Sequence, residues 1–478
     1  QDAIDDADPG DTINVYPGTY VEDLSMPYPV NLIGDGMPVI QGEMTIDHSG
    51  YTGSVETLIE GIRFETLSDT KHDNIVLKGV NGITIKGCEF DGAGKFMNDG
   101  GRAVQMESPT SNNVTIEGST FENGYYVTIN GYATGLTVKN STIENVKSGI
   151  NLQGGGDLVV EDTNISVIAQ GVGNDTYGIR FASSTGTAEN MTVSGGSISV
   201  DKNGLVAEVG TYHSAIVLRE AASNDLSVEK MAIDGEVVNL SSTTLDASPN
   251  WWGSIYGPAD GQVYGDVDYI PWCGDAECTF LVYPLEGEIT TSISITNSIF
   301  YLLKDGTKID TGGPCFDITA SNVTIMTESP GGAVCYPGSP GIQVAADATN
   351  IIIEGLEIDG QEGTAVGNGI DFLGAVTDVI ISDTFIHDMD GDAVHFTAVP
   401  AGYVEIKGNL FKNNTGVGVN NAAATEAGHN IDAAYNAWGD YGGPKVGDGD
   451  GVSDFVIFAP WTHVDVEVVY QADSARYA

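Results

Sequence analysis

The sequence predicts an all-β protein made of two tandem parallel β-helices, and two internal repetitions carry that prediction. One phrase occurs twice, NWWGSIYGP from Asn250 to Pro258 and NAWGDYGGP from Asn436 to Pro444. Asn, Trp, Gly and Gly-Pro keep identical spacing, and a Pro-Trp pair follows each copy, Pro271-Trp272 and Pro460-Trp461. A shorter phrase recurs through both halves: apolar residues at alternate positions, a turn rich in Gly, Asn or Asp, then another apolar residue. Period-two alternation followed by a turn describes a strand, a corner and a second strand. Neighbouring phrases often lie about 22 to 28 residues apart, which suits one coil of a stack with coils roughly 4.8 Å apart.

The elements follow in order. QDAIDDADPGDTINVYPGTYVEDL, from Gln1 to Leu24, places Ile4 and Ala7 on one face of a short capping helix, breaks it at Pro9-Gly10 and opens a first strand around Ile13 to Tyr16. Coil phrases then start at Ile83, Val114, Leu136, Leu158, Met191 and Leu226, and in the second half at Ile351, Val379 and Val404. Large aromatics among glycines and prolines suit the open end of such a stack, where an apolar lid must cover a core that otherwise ends in water. The caps are therefore expected at 250–272 and 436–461, and the domains at 1–284 and 285–478.

The opening phrase, the coils and the Asn-x-Trp-Gly…Gly-Pro…Pro-Trp endings resemble right-handed β-helix proteins of the pectin-lyase-like superfamily. The likeness is greatest to secreted, surface-layer and sheath-type β-helix proteins of archaea and bacteria. It covers nearly the whole chain and implies right-handed coils. It implies no single activity, because that superfamily includes lyases, hydrolases, epimerases, adhesins and surface-layer components. Gln1 falls inside the usual opening phrase, so the natural chain is expected to begin a few residues earlier.

Charge narrows the partners. The chain carries 67 acidic and 18 basic residues, a formal charge of -49. Nucleic acid is excluded as a partner, because phosphate binding needs a basic surface, and an anionic membrane is disfavoured for the same reason. One reading of the acidity is a soluble, self-repelling exterior suited to high salt. The other is an extracellular coat in which calcium or magnesium relieves repulsion and bridges copies of the chain. Both place the protein outside the cell. No stretch of about 18 apolar residues suggests a membrane span, and no signal peptide is visible, as expected of a processed secreted chain.

Cys273 and Cys278 flank GDAE just after the first cap, and Cys315 and Cys335 flank another irregular stretch, so two local disulfides are expected. Metal binding is the competing reading, but neither spacing is a zinc signature. Cys88 aligns with Ser119, Ser141, Thr163 and Met231 and reads as a buried, unpaired core thiol. Asn113, Asn140, Asn164, Asn174, Asn190, Asn239, Asn322 and Asn413 begin Asn-X-Ser/Thr and are glycosylation candidates. Asn-rich turns beside Thr-rich strands also generate such matches by chance.

Stacking the coils puts Gln105, Thr128, Asn151 and Arg180 on one outer strip of the first helix, and Asp371, His395 and Asn420 on the matching strip of the second. Side chains one coil apart could touch a single extended polymer. HDMDGD, just before His395, supplies His387, Asp388, Asp390 and Asp392. Carboxylates there could hold Ca2+ against a uronate, and a histidine could take the C5 proton. If the chain is an enzyme, Asp371, His395 and Asp392 are its candidate catalytic residues, and it is a polyuronate lyase or epimerase. DMDGDAVHF resembles coils of mannuronan epimerases, yet the Tyr-Gly-Phe/Ile-Asp-Pro-His signature of those enzymes is absent. The motif sets of polygalacturonases and of pectate and pectin lyases are missing as well. With five arginines, the chain offers little to stabilise an enolate-like charge.

Asp448, Asp450 and Asp454, in GDGDGVSD, form a second acidic loop that lacks the full EF-hand pattern. The metal candidates are thus Asp388, Asp390, Asp392, Asp448, Asp450 and Asp454, with Ca2+ as the cofactor. VDVEVVY, Val464 to Tyr470, alternates cleanly and could pair with an edge on a neighbouring copy or pack on its own chain. The sequence therefore favours a structural component of a surface layer or sheath, self-associating and cation-stabilised. The alternatives are a carbohydrate-active β-helix and a glycan-binding adhesin.

Overall fold

The computed structural model describes the chain except for residues 67–72, 93–100, 124, 154–155, 171–174, 183–189, 206–211, 220–224, 362–366, 423–430, 441, 445–449 and 463–478. Asp448, Asn174 and the Val464 to Tyr470 phrase lie outside the described residues. The chain forms two compact units, Gln1–Thr279 and Phe280–Ala478. The strand Leu281–Leu285 therefore lies whole within the second unit, whereas a boundary at 284/285 would cut it.

In the first unit the strand-to-strand pairings given by register are all parallel, each strand pairing with its equivalent one coil away. One inward rung runs Ile59, Ile85, Ile116, Val138, Val160, Val193 and Val228 through successive coils. All seven side chains are fully buried, and each such aliphatic contributes about 1.5–3 kcal/mol by leaving water. β-branched residues suit this geometry because their stiff side chains stack on the pleated surface. Phe64, Phe90 and Phe121 form a second rung, their rings stacked at 5.0 and 4.6 Å between centroids. The helix at the start is the single turn Asp2–Asp5, with Ile4 buried, and the first strand is Thr12–Val15.

The corners explain the alignment of Cys88 with its neighbours. Gly87, Gly118, Asn140 and Asp162 take positive φ, which turns the following residue inward. Those residues form a hydrogen-bonded ladder. Cys88 N–H donates to Ser119 Oγ at 3.2 Å, Ser119 N–H to Ser141 Oγ at 3.2 Å, and Ser141 N–H to Thr163 Oγ1 at 3.4 Å. Each hydroxyl thus satisfies a corner amide that the strand ladders leave unpaired. Cys88 is a free, buried thiol, its pKa pushed up to about 11 by burial.

The second unit has three ladders, again with parallel pairings: one through Val323–Thr327, Thr349–Glu354 and Thr377–Ser382, one through Glu357–Asp359 and Phe385–His387, one through Ile370–Phe372 and Val394–Phe396. Ile325, Ile353, Ile381 and Ile406 form a rung, and Phe372 stacks on Phe396 at 4.6 Å.

The two copies of the repeated phrase adopt matching geometry. Trp252, Trp272 and Trp438 are buried, and Trp461 packs partly buried against the second core. Gly257 and Gly443 have φ of +83° and +84°, and a Cβ on either would collide with Trp272 or Trp461, at 2.9 and 2.7 Å. A disulfide joins Cys273 to Cys278, and another joins Cys315 to Cys335.

Candidate functional site

The third ladder of the second unit places one polar side chain per coil on its outward face. Its register runs Ser294, Asp317, Gln343, Asp371, His395 and Asn420. The alternation forces this, since each of these residues lies between inward neighbours such as Ile370 and Phe372. Asp371 Oδ1 lies 2.7 Å from His395 Nδ1 and accepts a 3.2 Å bond from Asn368 Nδ2. A carboxylate at Nδ1 makes that nitrogen the donor and leaves Nε2 with the lone pair, the arrangement of an oriented base or acceptor. Asn420 Nδ2 donates to Asp392 Oδ2 at 2.7 Å, while Asp392 Oδ1 accepts Val417 N–H at 2.8 Å. Asp371 and His395 are thus brought together. Asp392 is engaged by backbone and amide groups and buttresses Asn420. No Arg or Lys stands on these rungs to meet a substrate carboxylate.

The expected calcium set does not converge. Asp388 bonds to His387 Nδ1 at 2.6 Å and accepts Asn413 Nδ2, Asp390 meets Thr415 at 3.5 Å, and Asp392 is occupied as above. Consecutive turn residues point in different directions, so spacing along the chain does not become a cage. Asp450 is buried and accepts both Asn414 N–H and Nδ2, at 3.2 and 2.5 Å, and burial raises its carboxyl to about 6. It serves an inner corner instead of an exposed ion site. Asp454 is exposed.

Among the described residues, the donor group that does converge is one the sequence does not reveal. Glu357, Asp359 and His387 offer one donor atom each within 4.8 Å of one another. The register Asp359 to His387 joins residues from adjacent coils, and the Phe385 ring stacks on the imidazole at 4.0 Å. His387 Nε2 contacts Glu357 Oε1 at 3.1 Å. Burial pulls the imidazolium pKa down, but hydrogen bonds to Glu357 and Asp388 and the charge of Asp359 outweigh it and leave it raised. A protonated His387 offsets one of the negative charges that Glu357, Asp359 and Asp388 bring to it.

In the first unit the outer strip is Gln105, Asn130, Asn151 and Arg180. Thr128 is a correction: it is buried two residues earlier, and Asn130 holds the expected rung. The amides are chained, Asn151 Nδ2 to Asn130 Oδ1 at 2.6 Å and Asn130 Nδ2 to Gln105 Oε1 at 2.7 Å. Of the described sequons, Asn113, Asn140, Asn164, Asn322 and Asn413 are exposed and Asn190 half-buried. Asn239 is a correction: it is 3% exposed, with its Nδ2 spent on Thr243 O and Asp266 O.

Parallel strands in both units make an all-β fold consistent with a β-helix, and residues 52–222 match the family described as right handed beta helix region. Among curated proteins, none matches the chain. Among solved structures, it is similar to the A-module of Azotobacter vinelandii mannuronan C-5 epimerase AlgE6, at 14% identity over 96% of this chain and 93% of that one, TM-score 0.24. It is similar also to the PL6 family alginate lyase AlyGC, at 13% identity, 96% and 86% coverage, TM-score 0.23. The Streptococcus pneumoniae surface adhesin PfbA gives 12% identity, 87% and 86% coverage, TM-score 0.21. Likenesses this weak carry nothing about activity. No helix among the described residues is long and apolar enough to cross a membrane.

Proposed function

We propose that this chain is a structural component of an extracellular cell-surface assembly, a surface layer or sheath, whose copies associate through divalent cations such as Ca2+. The observation that carries the reading is how many carboxylates single bases have to serve. Arg63 alone serves Glu65, Glu89 and Asp91, and Lys407 serves Glu405 and Asp432. With 18 basic residues against 67 acidic ones, the surface keeps a large excess of carboxylates that nothing in the chain neutralises. Stacked one coil apart, these charges repel within a Debye length unless cations intervene. The stacked coils and the two disulfides supply rigidity.

Electron microscopy and light scattering of the purified protein across a calcium titration, with chelator as control, test this. Ordered sheets, tubes or filaments that dissolve in chelator are expected. Dispersed monomers at every calcium concentration would remove the reading.

The second reading, glycan binding or turnover along the outer strip of the second unit, is favoured by the oriented His395–Asp371 pair. It uses Nε2 of His395 as acceptor or base toward a polysaccharide lying across the rungs.

A further inference from the structure

Among the described residues, Lys147 is a buried charge with no charged partner in contact. Its side chain is 2% exposed, and its amine makes no hydrogen bond or ion pair with any described residue. Its contact is the Tyr126 ring, 3.8 Å from Nζ to the centroid. Burial pulls its pKa down to about 8, with only the charge of Asp175 opposing. An unpaired buried cation costs stability, and a fold retains that cost at functional positions more readily than elsewhere.

Its surroundings are unlike the rest of the chain. Arg180 Nη1 and Arg219 Nη2 lie 3.8 and 3.5 Å from the same Asp175 Oδ2, so one carboxylate serves two guanidiniums. The Arg180 guanidinium sits 5.7 Å from the Tyr177 ring and that of Arg219 5.0 Å from the Tyr212 ring. Among the described residues, three cations thus face one acid in a protein where acids outnumber bases by 67 to 18. On the rung beside Arg180, Asn151 is 3% exposed and its Oδ1 has no hydrogen-bond partner. The Nε atoms of Arg180 and Arg219 are buried and unpartnered too. A buried acceptor and two donors left unpaired, around a positive charge that the described residues do not fully compensate, describe a site short of one polar, anionic group.

We infer that this cluster in the first unit is an anion-binding subsite that takes the carboxylate or sulfate ester of an acidic saccharide. The oxyanion meets Lys147 Nζ and the guanidiniums of Arg180 and Arg219. The half-exposed Tyr126 and Tyr212 rings offer flat apolar faces to the sugar's C–H surface, and the Asn151 amide oxygen accepts a hydroxyl. The inference stands apart from cation-bridged assembly, which rests on the acidic exterior.

Calorimetric titration of the full chain with an oligouronate, a sulfated oligosaccharide, a neutral oligosaccharide of equal length and sodium sulfate tests it. At least one acidic oligosaccharide should bind tenfold or more tighter than the neutral one and than sulfate. Lys147→Met and Arg180→Gln should each weaken that binding at least tenfold, while Lys308→Met, in the second unit, leaves it unchanged. Thermal melting reports folding of each variant, and Arg219→Gln substitutes for any that fails to fold. Equal affinity for acidic and neutral sugars, or undiminished binding by folded Lys147→Met, overturns the proposal. Sulfate binding as tightly as either acidic sugar overturns its saccharide part.

Discussion

Asn250 and Asn436 make the same hydrogen bonds in their respective units. Asn250 Oδ1 accepts Met231 N–H at 3.0 Å while its Nδ2 donates to Val228 O and Ala247 O at 2.7 and 2.6 Å. Asn436 Oδ1 accepts Asn409 N–H at 2.8 Å, and its Nδ2 donates to Ile406 O and Ala433 O at 2.6 and 2.7 Å. Both side chains are fully buried. The first residue of the repeated phrase is therefore a clamp on the coil before it. Asn250→Ala or Asn436→Ala should cost about 2–5 kcal/mol, from one amide and two carbonyls left unpaired. Urea unfolding measures this, and a loss under about 1 kcal/mol would contradict the clamp.

His387 gives the second unit a pH-dependent term. Its folded pKa is raised above the ordinary value of 6.5. Its stabilising contribution is thus fully present below about 6.5 and is lost as pH rises through the folded value. Thermal melts should show wild type losing more stability between pH 6 and 9 than His387→Gln does. Identical slopes would mean that Glu357 and Asp388 do not hold the imidazolium.

Asp450 acts in a lower window. Its carboxyl is raised from 3.8 to about 6, so the folded state favours the protonated form. Stability falls as pH rises from about 4 through 6, and the cost is fully present above that. Asp450→Asn should flatten this slope and melt higher than wild type at pH 7. A lower melting temperature at pH 7 would show that the two bonds from Asn414 matter more than the buried charge.

Lys147 has the opposite sign of shift for a base. Its pKa falls from 10.5 to about 8, so its cost to stability is complete below pH 8 and disappears as pH rises toward 10.5. Lys147→Met should melt a few degrees above wild type at pH 7, roughly 2–4 °C per kcal/mol for a domain of this size. The gain should shrink by pH 10. A variant less stable at pH 7 would give the Tyr126 contact the greater weight.

The structural reading of the Asp371–His395 pair predicts no turnover. Oligouronates incubated with the protein should yield no unsaturated product by ultraviolet absorbance and no change in epimer composition by NMR. Turnover abolished by His395→Ala would instead make the pair catalytic.

The repeats were legible because burial in a stacked coil imposes strict alternation, and the strand Ile370, Asp371, Phe372 shows it in three letters. The same property hid Asn130. A slip of two residues keeps every inward position inward, so Thr128 and Asn130 fit the pattern equally well and only the register separates them. Glu357, Asp359 and His387 were invisible for another reason: their meeting depends on which corner follows which coil, and His387 comes 30 positions after Glu357. Lys147 lies off the alternating strands, in the stretch before Ile150–Gln153, where hydrophobic period says nothing about burial.

The Cys315–Cys335 bond closes a loop of one coil, its ends 20 positions apart in sequence. Under tension, as at a cell envelope, a coil peeled from its stack releases contour length at roughly 3.3–3.6 Å per residue. The chain inside this ring cannot be drawn out, so about 70 Å of extension is withheld from any pulling force. The second unit therefore carries a covalent bypass near its beginning: force that strips later coils one by one passes at residue 335 through the sulfur bridge to residue 315, and the ring stays closed until a reductant opens it.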